Sequence, residues 1–273
     1  MLESRRLPTH FISHGGGPWP WIKDQMPMDL GPLEQSLRAI ARDLGSTPKA
    51  VLVVSGHWVA PTFTVQTHPH PPMVYDYYGF PEFTYHIRYP APGSPEVALR
   101  VVELLSSAGI EVREDPERGF DHGTFAPLVV MYPDADVPVL QLSLHRSYDP
   151  VLHLAAGRAL APLRDEGVLI VGSGLSYHNL RALGPAGGPA SRAFDRWLTE
   201  TVVEAAPEER TRRLLRWDAA PSAREAHPSE DHFIPLLVAV GAAEDEPAAI
   251  TYHEDGFAGA ISVSSFRFGS NPR

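Results

Sequence analysis

Two short runs, Ala50-Val51-Leu52-Val53-Val54 and Val168-Leu169-Ile170-Val171, constrain this chain more than any other feature. Each is continuously apolar rather than alternating, the pattern of a strand covered on both faces. Each also follows a segment with helical spacing. Pro32–Leu44 places Leu33, Leu37, Ile40, Ala41 and Leu44 on one side and stops at Gly45. Asp149-Pro150 opens a helix with Leu152, Ala155, Ala156, Ala159, Leu160 and Leu163 inward, closed by Gly167. Between them, Ser94-Pro95-Glu96 combines a capping residue, a first-turn proline and an acid at the positive end of the dipole. The stripe Val97, Val101, Leu104, Leu105 and Ala108 follows, Gly109 ends it, and Ile110–Val112 reads as a short strand. Val137–Leu144 and the alternating Ala260–Phe268 read as further strands. Helices alternating with such strands predict an α/β fold: a central, mostly parallel or mixed sheet with helices on both faces.

The 28 prolines and 22 glycines gather in connections that lie between core elements, so residues 1–273 are expected to form a single domain. A formal charge of −10 disfavours nucleic acid or an anionic membrane as partner, since both would be repelled. The chain has no cysteine, which excludes disulfides, thiolate ligands and cysteine nucleophiles. A metal would be held by nitrogen and oxygen. The arginines at Arg5 and Arg6 are not followed by an apolar signal region. No run approaches the ~18–20 apolar residues of a membrane span. A cytoplasmic location is expected, and a homo-oligomer is compatible with all of this.

Four histidines sit where a buried element meets a loop. His14 follows Leu7–Ile12 and opens Ser13-His14-Gly15-Gly16-Gly17-Pro18; His57 follows the first apolar run through Ser55-Gly56; His178 lies shortly after Val168–Gly174; His232 precedes Phe233-Ile234-Pro235-Leu236-Leu237. In open α/β sheets ligands collect beyond the carboxyl ends of parallel strands. Imidazole is the commonest metal ligand at neutral pH, so the set resembles an iron or zinc site. Taken singly, each has an ordinary structural alternative. His232 is expected near the first turn of a helix over 230–240, with Glu230 and Asp231 as oxygen ligands, acceptors for a ligand histidine, or simple helix-start acids. Asp121 either orients His122 or caps the helix after it. Trp19, Trp21, Tyr75, Tyr77, Tyr78 and Phe80 suit core packing or the walls of a planar-ring site.

The segments Ser13-His14-Gly15-Gly16-Gly17-Pro18, Val53-Val54-Ser55-Gly56-His57-Trp58, Tyr89-Pro90-Ala91-Pro92-Gly93-Ser94-Pro95, Gly119-Phe120-Asp121-His122-Gly123, Met131–Asp136, Val171-Gly172-Ser173-Gly174 with His178-Asn179, and His227-Pro228 through His232 to Leu236 occur in order along nearly the whole chain. In this the chain resembles the class III extradiol ring-cleaving dioxygenases of the LigB superfamily, in the DOPA 4,5-dioxygenase-like branch. The resemblance implies metal ligation by His14, His57 and His232. It implies His178 as acid/base, and in some zinc-bound forms as a further ligand, and His122 facing substrate or oxygen. It implies Fe(II) for catalysis, with zinc as an ion the site would also take, and a small aromatic diol and O2 as partners. The glycine-richer turn after His14 departs from the branch's more usual His-Gly-Ser-Pro form. A zinc hydrolase and a catalytically silent metal-binding homologue are the competing expectations.

Overall fold

The computed structural model describes residues 6–270. The chain runs β1 (Thr9–Ser13), α1 (Trp19–Ile22), α2 (Gly31–Asp43), β2 (Ala50–Ala60), β3 (Phe63–Gln66), α3 (Pro95–Ser107), β4 (Val112–Asp115), α4 (His122–Met131), β5 (Val139–His145), α5 (Pro150–Leu160), β6 (Val168–Gly174), α6 (Gly188–Thr199), α7 (Pro207–Leu214), α8 (Ala223–Ala226), α9 (Pro235–Gly241), β7 (Ala248–Phe257) and β8 (Ile261–Phe268). The strands form one 8-stranded sheet in the order β4-β3-β5-β2-β6-β1-β8-β7. The central β5, β2, β6 and β1 are mutually parallel. β8 and β7 add antiparallel strands at one side, and β3 runs antiparallel to β5 at the other. The expected α/β class with a mixed sheet is therefore the observed one.

Adjacent residues of β1 identify the two covered faces. The Thr9 hydroxyl donates to the carbonyl of Ala239 in α9 at 2.7 Å, while His10, on the opposite face, lines a cavity with Ser36, Ala39 and Ile40 of α2. With covers on both sides, Val51–Val54 and Val168–Val171 are essentially free of solvent exposure. Their unbroken apolar character follows from that burial. Among the described residues no helix is long and apolar enough to cross a membrane.

Helix starts follow the local chemistry unevenly. Asp149 caps α5 by accepting the Val151 amide at 2.9 Å. Ser94 occupies the equivalent place before α3 but makes no capping bond with its side chain; its carbonyl accepts the Ala98 amide, and Pro95 sets the first turn. The strand expected at 110–112 begins later, at Val112. Gly109 (φ 74°) reverses the chain, and Ile110 donates back to Leu105 at 3.0 Å, so this stretch closes α3 before the chain joins β3.

His153 of α5 is a structural histidine. It is fully buried, and its Nε2 accepts the His145 amide at 3.1 Å while Nδ1 donates to the Asp149 carbonyl at 2.7 Å. The Nε2 bond requires the neutral ring, and burial lowers its pKa to about 4. The unfolded chain protonates this side chain first, near pH 6.5. Stability should therefore be intact above that pH and fall as pH drops toward 4, by up to roughly 1.4 kcal/mol per pH unit for this one proton. Urea unfolding between pH 7 and 4.5 measures the slope, and His153→Gln should make it shallower.

Candidate active site

The carboxyl ends of β1, β6 and β2 lie side by side, and the sequence-predicted histidines gather there. His14 is the first residue past β1; its amide donates to the Gly174 carbonyl at the end of β6 at 3.1 Å. The turn after it is held by the Trp19 indole, which donates to the His14 carbonyl at 2.8 Å. Gly15 and Gly17 have φ of 81° and 55°, which side chains disfavour, and a Cβ at Gly17 would lie 2.7 Å from the Phe80 ring. The backbone's close approach in this turn is thus to the rings of Trp19 and Phe80.

His57 lies inside a strand rather than after one, because β2 continues to Ala60. Val54 pairs with Leu142 and Val59 with Leu144, so the intervening residues bulge out of register. The bulge is anchored from below. Ser55 donates to Asp121 at 2.7 Å and accepts the His57 amide at 3.2 Å. Asp121 also accepts Gln141 at 2.8 Å and Arg118 at 2.7 Å. Neither expectation for Asp121 holds, since it makes no side-chain cap and its carboxylate is taken up by these other partners. His232 stands in the turn ahead of α9, which starts at Pro235 and not at 230; the turn is closed by Phe233 and Ile234 donating to the Glu230 carbonyl. Pro235 lacks the amide that would extend the helix backward.

Ring nitrogens of His14, His57 and His232 lie within 4.8 Å of one another. His57 and His232 face each other Nε2 to Nε2 at 3.1 Å. On its far side His57 Nδ1 is 3.2 Å from Asp76 Oδ2, and His232 Nδ1 is 3.3 Å from Asp231 Oδ2. Neither nitrogen of the fully buried His14 has a hydrogen bond, and His232 Nδ1, though near Asp231, makes none either. Burial, with the neighbouring imidazoles, holds His14 and His232 well below the usual histidine range and lowers His57 to about 4, so the rings are neutral at pH 7. Two neutral rings carry two N–H protons for the three contacts in the chain Asp76, His57, His232, Asp231. One contact is always short of a proton. A cation held by His14, His57 and His232 would remove the shortage, since His57 and His232 could then both donate from Nδ1 and offer lone pairs from Nε2. The donor set fits a divalent metal.

His178 and His122 flank this trio. His178 stacks on His232 with ring centroids 3.3 Å apart, is half-buried, and belongs with Asp231 and His232 to a second cluster of potential ligand atoms. Burial lowers its pKa. His122 opens α4, with its ring 3.9 Å from that of His57 and 5.2 Å from that of His14. Sequence reasoning missed Asp76, which accepts His122 Nδ1 at 2.8 Å and the His122 amide at 3.1 Å. Its one signal is an isolated acid in the aromatic stretch Tyr75-Asp76-Tyr77-Tyr78, 46 residues from His122. Of that stretch, Tyr77 stands 6.0 Å from His122 and packs on Phe80 and Tyr85, whereas Tyr78 is 91% exposed. His227 is structural: Nε2 donates to the Ser176 carbonyl at 2.9 Å, among Phe194, Trp217 and Phe233.

The His232 turn is seated on the end of β6, where the Leu175 amide donates to the His232 carbonyl at 3.1 Å. A Cβ at Gly174 would collide with that same carbonyl oxygen. Gly174→Ala should therefore push the turn outward, lowering stability by roughly 1–3 kcal/mol and moving the His232 ring resonances. Urea unfolding and NMR read the two effects.

Comparison with known proteins agrees with this architecture. Residues 8–267 match the family model described as the catalytic LigB subunit of aromatic ring-opening dioxygenase. The chain is 40% identical over 266 residues to a protein named 4,5-DOPA dioxygenase extradiol from Beta vulgaris, with 96% of each chain covered. It is 37% identical over 279 residues to a protein of the same name from Escherichia coli (strain K12), covering 98% of this chain and 97% of the relative. A crystal structure of an uncharacterized Escherichia coli K12 protein superposes with a TM-score of 0.78 at 33% identity, covering 97% of this chain and 100% of that one. The chain belongs to the LigB family of aromatic ring-opening dioxygenases, and it is an extradiol enzyme of that family.

Proposed function

We propose that this enzyme opens the ring of a DOPA-like catechol with O2 in an Fe(II)-dependent reaction, with His14, His57 and His232 holding the metal and His178 and His122 acting on the substrate. One observation carries the proposal: three buried, neutral imidazoles whose nitrogens share a 4.8 Å neighbourhood, with one of the contacts between them and their carboxylates short of a proton. Three nitrogen ligands favour iron or zinc over calcium or magnesium. Held by His14, His57 and His232, Fe(II) would bind the catechol and O2 and supply the electron transfer that lets triplet oxygen react with a closed-shell ring.

The protein's own groups handle protons and orientation. His178, neutral at pH 7, takes the second hydroxyl proton as general base and returns it to the departing oxygen. His122 has Nδ1 engaged by Asp76, so Nε2 of the neutral ring accepts the first hydroxyl proton, and the ring that carries it donates from Nε2. In that form it holds the developing anion, with the Asp76 carboxylate beside it as counter-charge. Tyr77, Phe80 and Tyr85 supply an aromatic wall suited to a flat ring.

His57→Ala should lose bound metal while remaining folded, as read by metal analysis of the purified variant. His178→Ala should retain metal and lose roughly 10²–10⁴-fold in turnover; unchanged turnover would remove His178 from the mechanism. The decisive assay is oxygen uptake by freshly iron-loaded enzyme across a panel of catechols, with ring opening followed as new visible absorbance. Product formed anaerobically with zinc would indicate a hydrolase, and bound metal without oxygen uptake on any catechol a silent homologue.

A further inference from the structure

Asp76 stands out because a single carboxylate serves two histidines with different proposed tasks. Oδ1 accepts the His122 amide at 3.1 Å and His122 Nδ1 at 2.8 Å; Oδ2 faces His57 Nδ1 at 3.2 Å. The contact with the amide places the carboxylate at the N-terminus of α4, where the helix dipole favours negative charge. Its position is thus set by a rigid element. With Oδ1 and Oδ2 each turned to a ring Nδ1, Asp76 stands as the acceptor toward both rings.

We infer that Asp76 is a positioning residue shared by the metal centre and the substrate-facing histidine, fixing the Nδ1–H tautomer of His57 and of His122 together. The inference rests on the roles proposed above for these two rings. With protons held at Nδ1, both rings turn Nε2 lone pairs away from Asp76. His57 then meets the metal in the form that binds it, and His122 meets the substrate as an acceptor. A carboxylate serving one ligand histidine is a common device for orienting the ring and raising its basicity. Here the same group also sets the proton position on the second histidine, so the metal's coordination and the substrate's proton acceptor are aligned by one side chain. An amide cannot replace it. Asparagine has one acceptor oxygen, and its NH2 would face a ring nitrogen that must then accept, driving that ring's proton to Nε2.

The test uses metal-free and zinc-loaded whole protein. In the metal-free wild type, nitrogen-15 NMR should find His57 and His122 both as Nδ1–H tautomers. In Asp76→Asn one of the two should switch to Nε2–H. Zinc affinity by chelator competition should fall about 10–100-fold in Asp76→Asn, and should fall similarly when Asp76→Asn is made in a His122→Ala background, because the effect on zinc runs through His57. Asp76→Glu, which keeps two acceptor oxygens, should recover part of the loss. An Nε2–H tautomer at either ring in the wild type overturns the inference and needs no variant to fold. So does a zinc affinity in Asp76→Asn within about twofold of wild type with both tautomers unchanged. Wild-type protein that binds no zinc or iron would instead refute the metal assignment, while the tautomers would still decide the role of Asp76.

Discussion

Burying several imidazoles together in a low-dielectric pocket is the constraint around which the rest of the molecule is arranged. Removing water from His14, His57 and His232 penalises their charged forms, and each neighbour adds to the penalty. Neutral rings have too few protons to satisfy one another and the carboxylates on their outer sides. A pocket with that deficit is poorly stabilised as a purely structural core and well matched to a divalent cation, which needs lone pairs and brings its own charge. The same burial that disfavours protonation leaves free the lone pairs that a cation needs.

The fold gathers these rings by making parallel strands end together. β1, β6 and β2 deliver His14, the loop to His178, and His57 to one end of the sheet. Local devices adjust each arrival. The Trp19 indole holds the turn after His14, a bulge anchored on Ser55 and Asp121 redirects β2, and the absence of a side chain at Gly174 lets the His232 turn sit against the end of β6. None of these devices touches a reacting group, yet each sets where an imidazole nitrogen lies. Family membership is consistent with this distribution, since the LigB match spans residues 8–267 and thus takes in every one of these devices.

Much of this was legible along the chain, for identifiable reasons. Val51–Val54 and Val168–Val171 announced doubly covered strands because both of their faces had to be apolar. The histidines were legible because each follows or precedes such an element within a few residues. The extension of β2 to Ala60 was not, since Gly56-His57-Trp58 has no strand periodicity; it is held by partners on β5 and by Asp121 ahead of α4. The turn around His232 was read as helix because Glu230 and Asp231 look like helix-start acids, while Pro235 sets the true first turn. Asp121 looked like a cap for the helix beginning at His122, but its carboxylate is taken up by Ser55, Gln141 and Arg118.

The amino-acid order by itself determined the layers of the fold, the exclusion of thiolate chemistry, and which imidazoles stand close to buried elements, because burial periodicity and residue type are properties of short segments. Only the tertiary structure decided which nitrogens face one another and which carboxylate stands behind them. Asp76 illustrates the difference. It meets His122 across 46 residues of chain and His57 on β2, through contacts that depend on angles and distances of a fraction of an ångström. Hydrogen-bond direction and tautomer are set by that geometry, and no local pattern encodes it.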